Sequence, residues 1–144
     1  MKVYLDNCCF NRPFDDQTQL KIKLETDAKL FVQQQVLQKK YQLVWSYVLS
    51  YENSQSPFKE HSQAIAAWER LSCENVNETP DVLAHAKRLV DSGVKTMDAL
   101  HIACAAKSTC DYFITTDRRL LTTRDPGVKI INPVQFIQEI EVVL

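Results

Sequence analysis

The chain has 144 residues, 45% of them hydrophobic and 24% charged, with 17 Lys plus Arg against 18 Asp plus Glu for a net charge of −1. That length suits one domain, expected over 1–144, which buries about two-thirds of its unfolded surface and needs no metal or disulfide staple to hold a core. The near-even charge argues against a dedicated binder of bulk nucleic acid, which is basic overall, but not against an enzyme that grips nucleic acid locally through a metal and a few arginines.

Val3-Tyr4-Leu5, closed by Asp6, reads as a short buried strand. Leu24, Ala28, Phe31, Val32 and Val36 recur at helical spacing and predict a helix over 19–39. Gln42 to Ser46 reads as a second strand, and Tyr47 to Ser54 as a helix that stops before Pro57. Ala64, Ile65, Trp68 and Leu71 mark a helix over 58–72, and Asn75-Val76-Asn77 a short strand. Thr79 and Pro80 are a cap and first residue for a helix with Val82, Leu83, Ala86, Leu89 and Val90 on its face, ended by Gly93. Thr96 is expected to cap the next helix, Met97 to about Lys107, which is apolar nearly all round and therefore buried. Tyr112 to Thr115 and Val128 to Ile131 are the last strands, and Asn132-Pro133 opens a helix with Phe136, Ile137 and Ile140 inside.

Strands alternating with helices predict a three-layer α/β/α fold around a mostly parallel sheet of four to five strands. The two glycines, the absence of a linker and the absence of repeats fit a single unit. Five cysteines, at 8, 9, 73, 104 and 110, make no CxxC and keep no spacing, so reduced and mostly buried thiols are expected. No run approaches the roughly 20 apolar residues of a membrane span. An acid at position 6 comes too early for a signal peptide. A cytoplasmic protein is the expectation.

In a parallel sheet, ligands collect beyond the carboxyl ends of the strands, where the returning helices also begin. Asp6, Glu52, Asp98 and Asp117 all map to that edge. Each alone has an ordinary explanation, as a turn residue, a complement to a helix dipole or a solvated side chain. Together they carry a cost, because two carboxylates about 4 Å apart repel by roughly 4 kcal/mol at an effective dielectric of 20. Such a cluster needs protonation or a cation. An all-oxygen set favours Mg²⁺ or Mn²⁺ over zinc, and such an ion serves phosphodiester hydrolysis.

Val3-Tyr4-Leu5-Asp6, Thr96-Met97-Asp98-Ala99-Leu100-His101-Ile102-Ala103 and Phe113-Ile114-Thr115-Thr116-Asp117 together resemble the PIN domain family, which includes the VapC-type ribonuclease toxins. The resemblance implies a Mg²⁺/Mn²⁺-dependent endoribonuclease whose acids are Asp6, Glu52, Asp98 and Asp117, with Asp6 and Asp98 as direct ligands. It also implies that Thr116 orients water or a carboxylate, that a cognate antitoxin blocks the acidic groove, and that the chain forms a homodimer, for which helices 19–39 and 58–72 are the candidate surfaces. Two features depart from the family pattern: Asn7, whose amide can still hydrogen-bond the site, follows the first acid where Ser or Thr is common, and Cys8 to Asp16 is no generic family segment and reads as a subfamily loop. The motif around Glu52 is thin, with Glu60 the less favoured substitute.

Arg12, Lys95, Arg118, Arg119 and Arg124 fall near the same edge as candidate phosphate partners, Arg118 first among them for standing next to Asp117. His101, one turn past Asp98, is expected to be a packed histidine bonded to backbone or carboxylate. Other chemistries lack their residues: no second Asp two positions after Asp6, no arginine six after a cysteine, no Gly-rich phosphate loop. The competing expectation is a PIN-like RNA-binding or protein-interaction module with little or no nuclease activity.

Overall fold

Val3, Tyr4 and Leu5 point alternately to the two faces of a strand, yet all three are fully buried, so both faces of the sheet are covered. The computed structural model describes residues 1–142. Its strands are β1 (Lys2–Leu5), β2 (Gln42–Ser46), β3 (Glu74–Val76), β4 (Tyr112–Ile114) and β5 (Lys129–Ile131), with helices α1 (Asn7–Asn11), α2 (Leu20–Leu37), α3 (Tyr47–Ser54), α4 (Lys59–Ala66), α5 (Pro80–Asp91), α6 (Thr96–Lys107), α7 (Arg118–Leu121) and α8 (Pro133–Val142). The five strands pair in the order β3-β2-β1-β4-β5, every pair parallel. Helices flank the sheet: α2 packs on α8, and α3 and α5 pack on α6. This is the expected α/β architecture, at five strands.

Most elements form where their local signals lie. Thr79 Oγ1 accepts from the Val82 amide at 3.2 Å to cap α5, and Gly93, at φ 110°, turns the chain after it. Asn132 caps α8 through the Val134 amide at 2.8 Å. α6 is buried along Ala99 and His101 to Ala105. Tyr4, Trp45 and Phe113 lie in the core, and all five cysteines are free, three of them buried. Among the described residues no helix is long and apolar enough to cross a membrane.

Several expectations need correction. Thr96 does not cap α6; Lys95, in extended backbone, is the cap residue and makes no side-chain bond, while its carbonyl accepts from Ala99. The segment after Asp6 is helical: α1 and a 3-10 turn at Arg12–Phe14. The helix expected over 58–72 tightens after Ala66 into a 3-10 turn, Ala67–Leu71. α2 ends at Leu37 because Lys39 takes a left-handed φ of 60° and the Lys40 amide closes back on the Gln35 carbonyl. On α2, Leu24 and Phe31 stay exposed and Glu25, Lys29 and Gln33 are buried in their place; on α5, Leu83 and Val90 stay exposed.

Candidate active site

The ladder between β1 and β4 sets the first acid. Tyr4 pairs with Phe113 and Leu5 with Ile114, and the Asp6 amide donates to the Ile114 carbonyl at 2.9 Å. One step further along this register Asp6 faces Thr115, whose hydroxyl donates to Asp6 Oδ2 at 2.8 Å. Asp6 Oδ1 accepts from the Asn7 amide at 2.8 Å and caps α1, and the Cys8 thiol stands 3.4 Å from Oδ2. The second acid is set by Ser46, which ends β2 and caps α3 by accepting from the Leu49 amide at 3.1 Å, so Glu52 stands on a helix that starts at the same edge. Asp98 lies in the first turn of α6. Asp117 caps α7 through the Arg119 amide at 2.9 Å, and its own amide donates to Thr115 Oγ1 at 3.1 Å.

These four carboxylates influence one another. Partial burial, then the charges of Asp6 and Asp117, push the Asp98 carboxyl up to about 6; His101 relieves part of this and Glu52 adds to it. His101 is fully buried, with Nε2 at 3.0 Å from Glu52 Oε1 and 3.8 Å from Asp6 Oδ1. Facing two carboxylates, Nε2 carries a hydrogen and donates it to Glu52. Nδ1 lies 2.6 Å from the Tyr4 hydroxyl, itself 2.6 Å from Ser46 Oγ. With neutral imidazole the hydrogens run Ser46 to Tyr4 to His101 to Glu52, a chain assigned from the network. Burial alone lowers the His101 pKa, but the bond to Glu52 and the charge of Asp6 outweigh it and the net shift is upward.

The family pattern PIN domain matches residues 3–125, most of the chain. The chain belongs to the PIN domain family. Among solved structures, this PIN domain is similar to VapBC2 from Rickettsia felis bound to a DNA fragment from its promoter, at 15% identity and a TM-score of 0.56, with 92% of this chain and 98% of that chain covered. At that identity the likeness concerns the fold. No curated protein matches the sequence.

Asp6 follows β1, Glu52 stands on α3, Asp98 lies in the first turn of α6 and Asp117 follows β4, all at one edge of the sheet, and the closest grouping joins Asp6 and Glu52 with His101 and not with Asp98 or Asp117. The neighbouring residues sort differently. The hydroxyl on Asp6 belongs to Thr115, not Thr116, whose amide instead points at Cys8 Sγ at 3.4 Å. Asn7 contributes its backbone amide, while its buried side-chain Oδ1 accepts no hydrogen bond. Arg12 is turned to Glu25 and Asp15, at 2.9 Å from each. Arg118 is exposed at the start of α7. Sequence reasoning left the partner of His101 open between backbone and carboxylate and did not identify Glu52, and it missed Thr115 and the Tyr4–Ser46 pair, whose only signal is the register of the strands.

Asp6, Glu52 and His101 each offer an atom within 4.8 Å of the others. With Nε2 protonated the histidine has no lone pair there, so the donors are oxygens. Among the described residues no Lys or Arg pairs with any of the four acids. An oxygen set in excess of its counter-charge fits a hard divalent cation such as Mg²⁺ or Mn²⁺.

Proposed function

We propose that this PIN domain is a metal-dependent endoribonuclease that hydrolyses RNA phosphodiester bonds, with Asp6, Glu52, Asp98 and Asp117 as the acids that hold Mg²⁺ or Mn²⁺. The observation that carries the reading is geometric: Asp6 and Glu52 meet at His101, with Asp98 at the start of α6 and Asp117 at the start of α7 on the same edge, and no Lys or Arg among the described residues pairs with any of the four. A divalent ion bound there supplies Lewis acidity and offsets the charge of the phosphodiester under attack. The chain's own groups do the positioning. Thr115 and the Asn7 amide fix both oxygens of Asp6, so its carboxylate is held before any ligand arrives. His101 orients Glu52 and is itself held by Tyr4.

The role of toxin in a toxin–antitoxin pair belongs to the same proposal and is supported by family membership and by the fold shared with VapBC2. A homodimer through α2 is consistent with its exposed Leu20, Leu24 and Phe31. A cytoplasmic protein of one domain completes the reading.

The test incubates pure protein with structured and unstructured RNAs in Mg²⁺, in Mn²⁺ and in chelator, beside Asp6→Asn and Asp98→Asn. Cleavage should require the ion and fall at least about a hundredfold in either variant. Cleavage that ignores both substitutions rejects the assignment. Failure of millimolar Mg²⁺ or Mn²⁺ to raise the melting temperature, together with no cleavage, would favour a binding module instead.

A further inference from the structure

Beside the acids lies a cleft of about 470 Å³ whose wall includes Asp98 and three cations, Lys95, Arg119 and Arg124, with the hydroxyl residues Thr122 and Thr123. The cations come from the two segments that carry acids. Lys95 is the cap residue of α6, three positions before Asp98, and Arg119 donates its amide to Asp117 at 2.9 Å. Arg124 is braced by the carbonyls of Leu121 at 3.1 Å and Thr123 at 3.3 Å. Among the described residues none of the three has a carboxylate partner. In a chain of net charge −1, three cations against the one acid, Asp98, leave this concavity with an excess of positive charge, a local anion site.

We propose that this cleft binds a backbone phosphate of single-stranded RNA next to the bond held at the acids, and so sets the path of the strand across the protein. The proposal rests on the nuclease reading and deepens it. The cleft has the volume of a site for a single small unit, in the usual range of about 300–1,000 Å³. A flexible single strand can place one phosphate in such a concavity. Lysine, arginine and hydroxyl groups contact phosphate oxygens without reading the base, so the site contributes affinity and register but not sequence choice. Arg12 and Arg118, nearer in sequence to Asp6 and Asp117, do not line this cleft.

The experiment measures binding of a short fluorescent single-stranded RNA by anisotropy over a salt series, in Ca²⁺ and in chelator. It compares wild type, Lys95→Gln/Arg119→Gln/Arg124→Gln, and a control of equal charge change, Lys39→Gln/Lys40→Gln/Lys107→Gln, at the opposite edge of the sheet. The cleft variant should bind at least about tenfold more weakly, and its slope of log affinity against log salt should fall by about 0.7, the value for one neutralised phosphate on a single strand. The Mn²⁺-induced rise in melting temperature should be the same in all three proteins, which shows the acids undisturbed. Affinity and slope equal to the control would overturn the proposal. A wild type that cleaves RNA while the cleft variant binds and cleaves equally well sinks the cleft and leaves the nuclease reading standing. A wild type that binds through these cations but cleaves nothing does the reverse. An acidic peptide that displaces RNA from the cleft at lower concentration than RNA itself would assign it to a protein, against the proposal.

Discussion

Asp98 has two environments to reconcile, a helix start that favours its charge and three carboxylates that oppose it, and the opposition prevails: its carboxyl sits at about 6. The unfolded value is about 4, so the folded chain holds this proton more tightly; that contribution is complete below about pH 4 and is lost as pH rises through about 6. Metal-free Asp98→Asn should therefore melt higher than wild type above about pH 6 and equally near pH 4, by about 1 kcal/mol once solvent screening of the half-exposed carboxyl is allowed for. Calorimetry across that range checks it, and coincident melting curves at the alkaline end would contradict the clustering. The buried relay gives a second expectation. Tyr4→Phe keeps the stack on Phe113 but leaves His101 Nδ1 without a partner, which should cost about 1–3 kcal/mol in urea denaturation. A loss within experimental error would mean that the imidazole finds another partner. Asp6, Asp98 and Asp117 were legible because strand ends and helix starts have sequence signatures. Thr115 was not: choosing it over Thr116 requires knowing that β1 and β4 are neighbours and that Leu5 faces Ile114.

At the scale of elements, α5 and α2 mark the limits of local reading. α5 announces itself through Thr79, Pro80 and Gly93, all of which act within the helix or one turn of it. α2 was placed correctly, but its apolar periodicity gave only part of the buried face. Glu25 takes Leu24's expected place because it accepts from Arg12 Nε at 3.0 Å and from Asn132 Nδ2 at 2.6 Å, tying the helix to segments far away in sequence. No window of the sequence contains all three residues. Lys29, on the same stripe, lies over the Phe10 ring at 5.7 Å, and burial draws its pKa down to about 8. Its folded pKa lies below the unfolded value of about 10.4, so stability is lost as pH falls between the two and the burden is complete below about pH 8. Lys29→Met keeps the length of the side chain and removes the charge. It should stabilise the protein by about 2–3 kcal/mol near neutrality and erase the gain wild type shows on going alkaline. Chemical denaturation at two pH values decides; a destabilised variant at neutral pH would mean that the ammonium has a partner other than the ring.

For the whole molecule, the decisive feature is where the chain changes direction across the sheet. From β1 it builds outward through β2 and β3, then α5 and α6 carry it back to the other side of β1, where β4 and β5 are added. The crevice at that switch, beyond the ends of β1 and β4, is where open parallel sheets bind ligands, and Asp6, Thr115 and Asp117 stand on it. Alternation of strands and helices revealed the class of fold and the functional edge, but not the strand order, because pairing between distant strands leaves no local signature. On the proposed metal-dependent reading, binding of the ion and release of a proton would be one event, since the ion would enter a cluster whose Asp98 still holds a proton below about pH 6. Affinity for Mn²⁺ or Mg²⁺ should thus be nearly flat above about pH 7 and fall by about tenfold per unit below about pH 6, with one proton released per ion at the acid end. Titration calorimetry in buffers of different ionisation enthalpy reads both quantities. In Asp98→Asn binding should be weaker and this proton release absent. Proton release of the same size in that variant would place the titrating group elsewhere in the cluster.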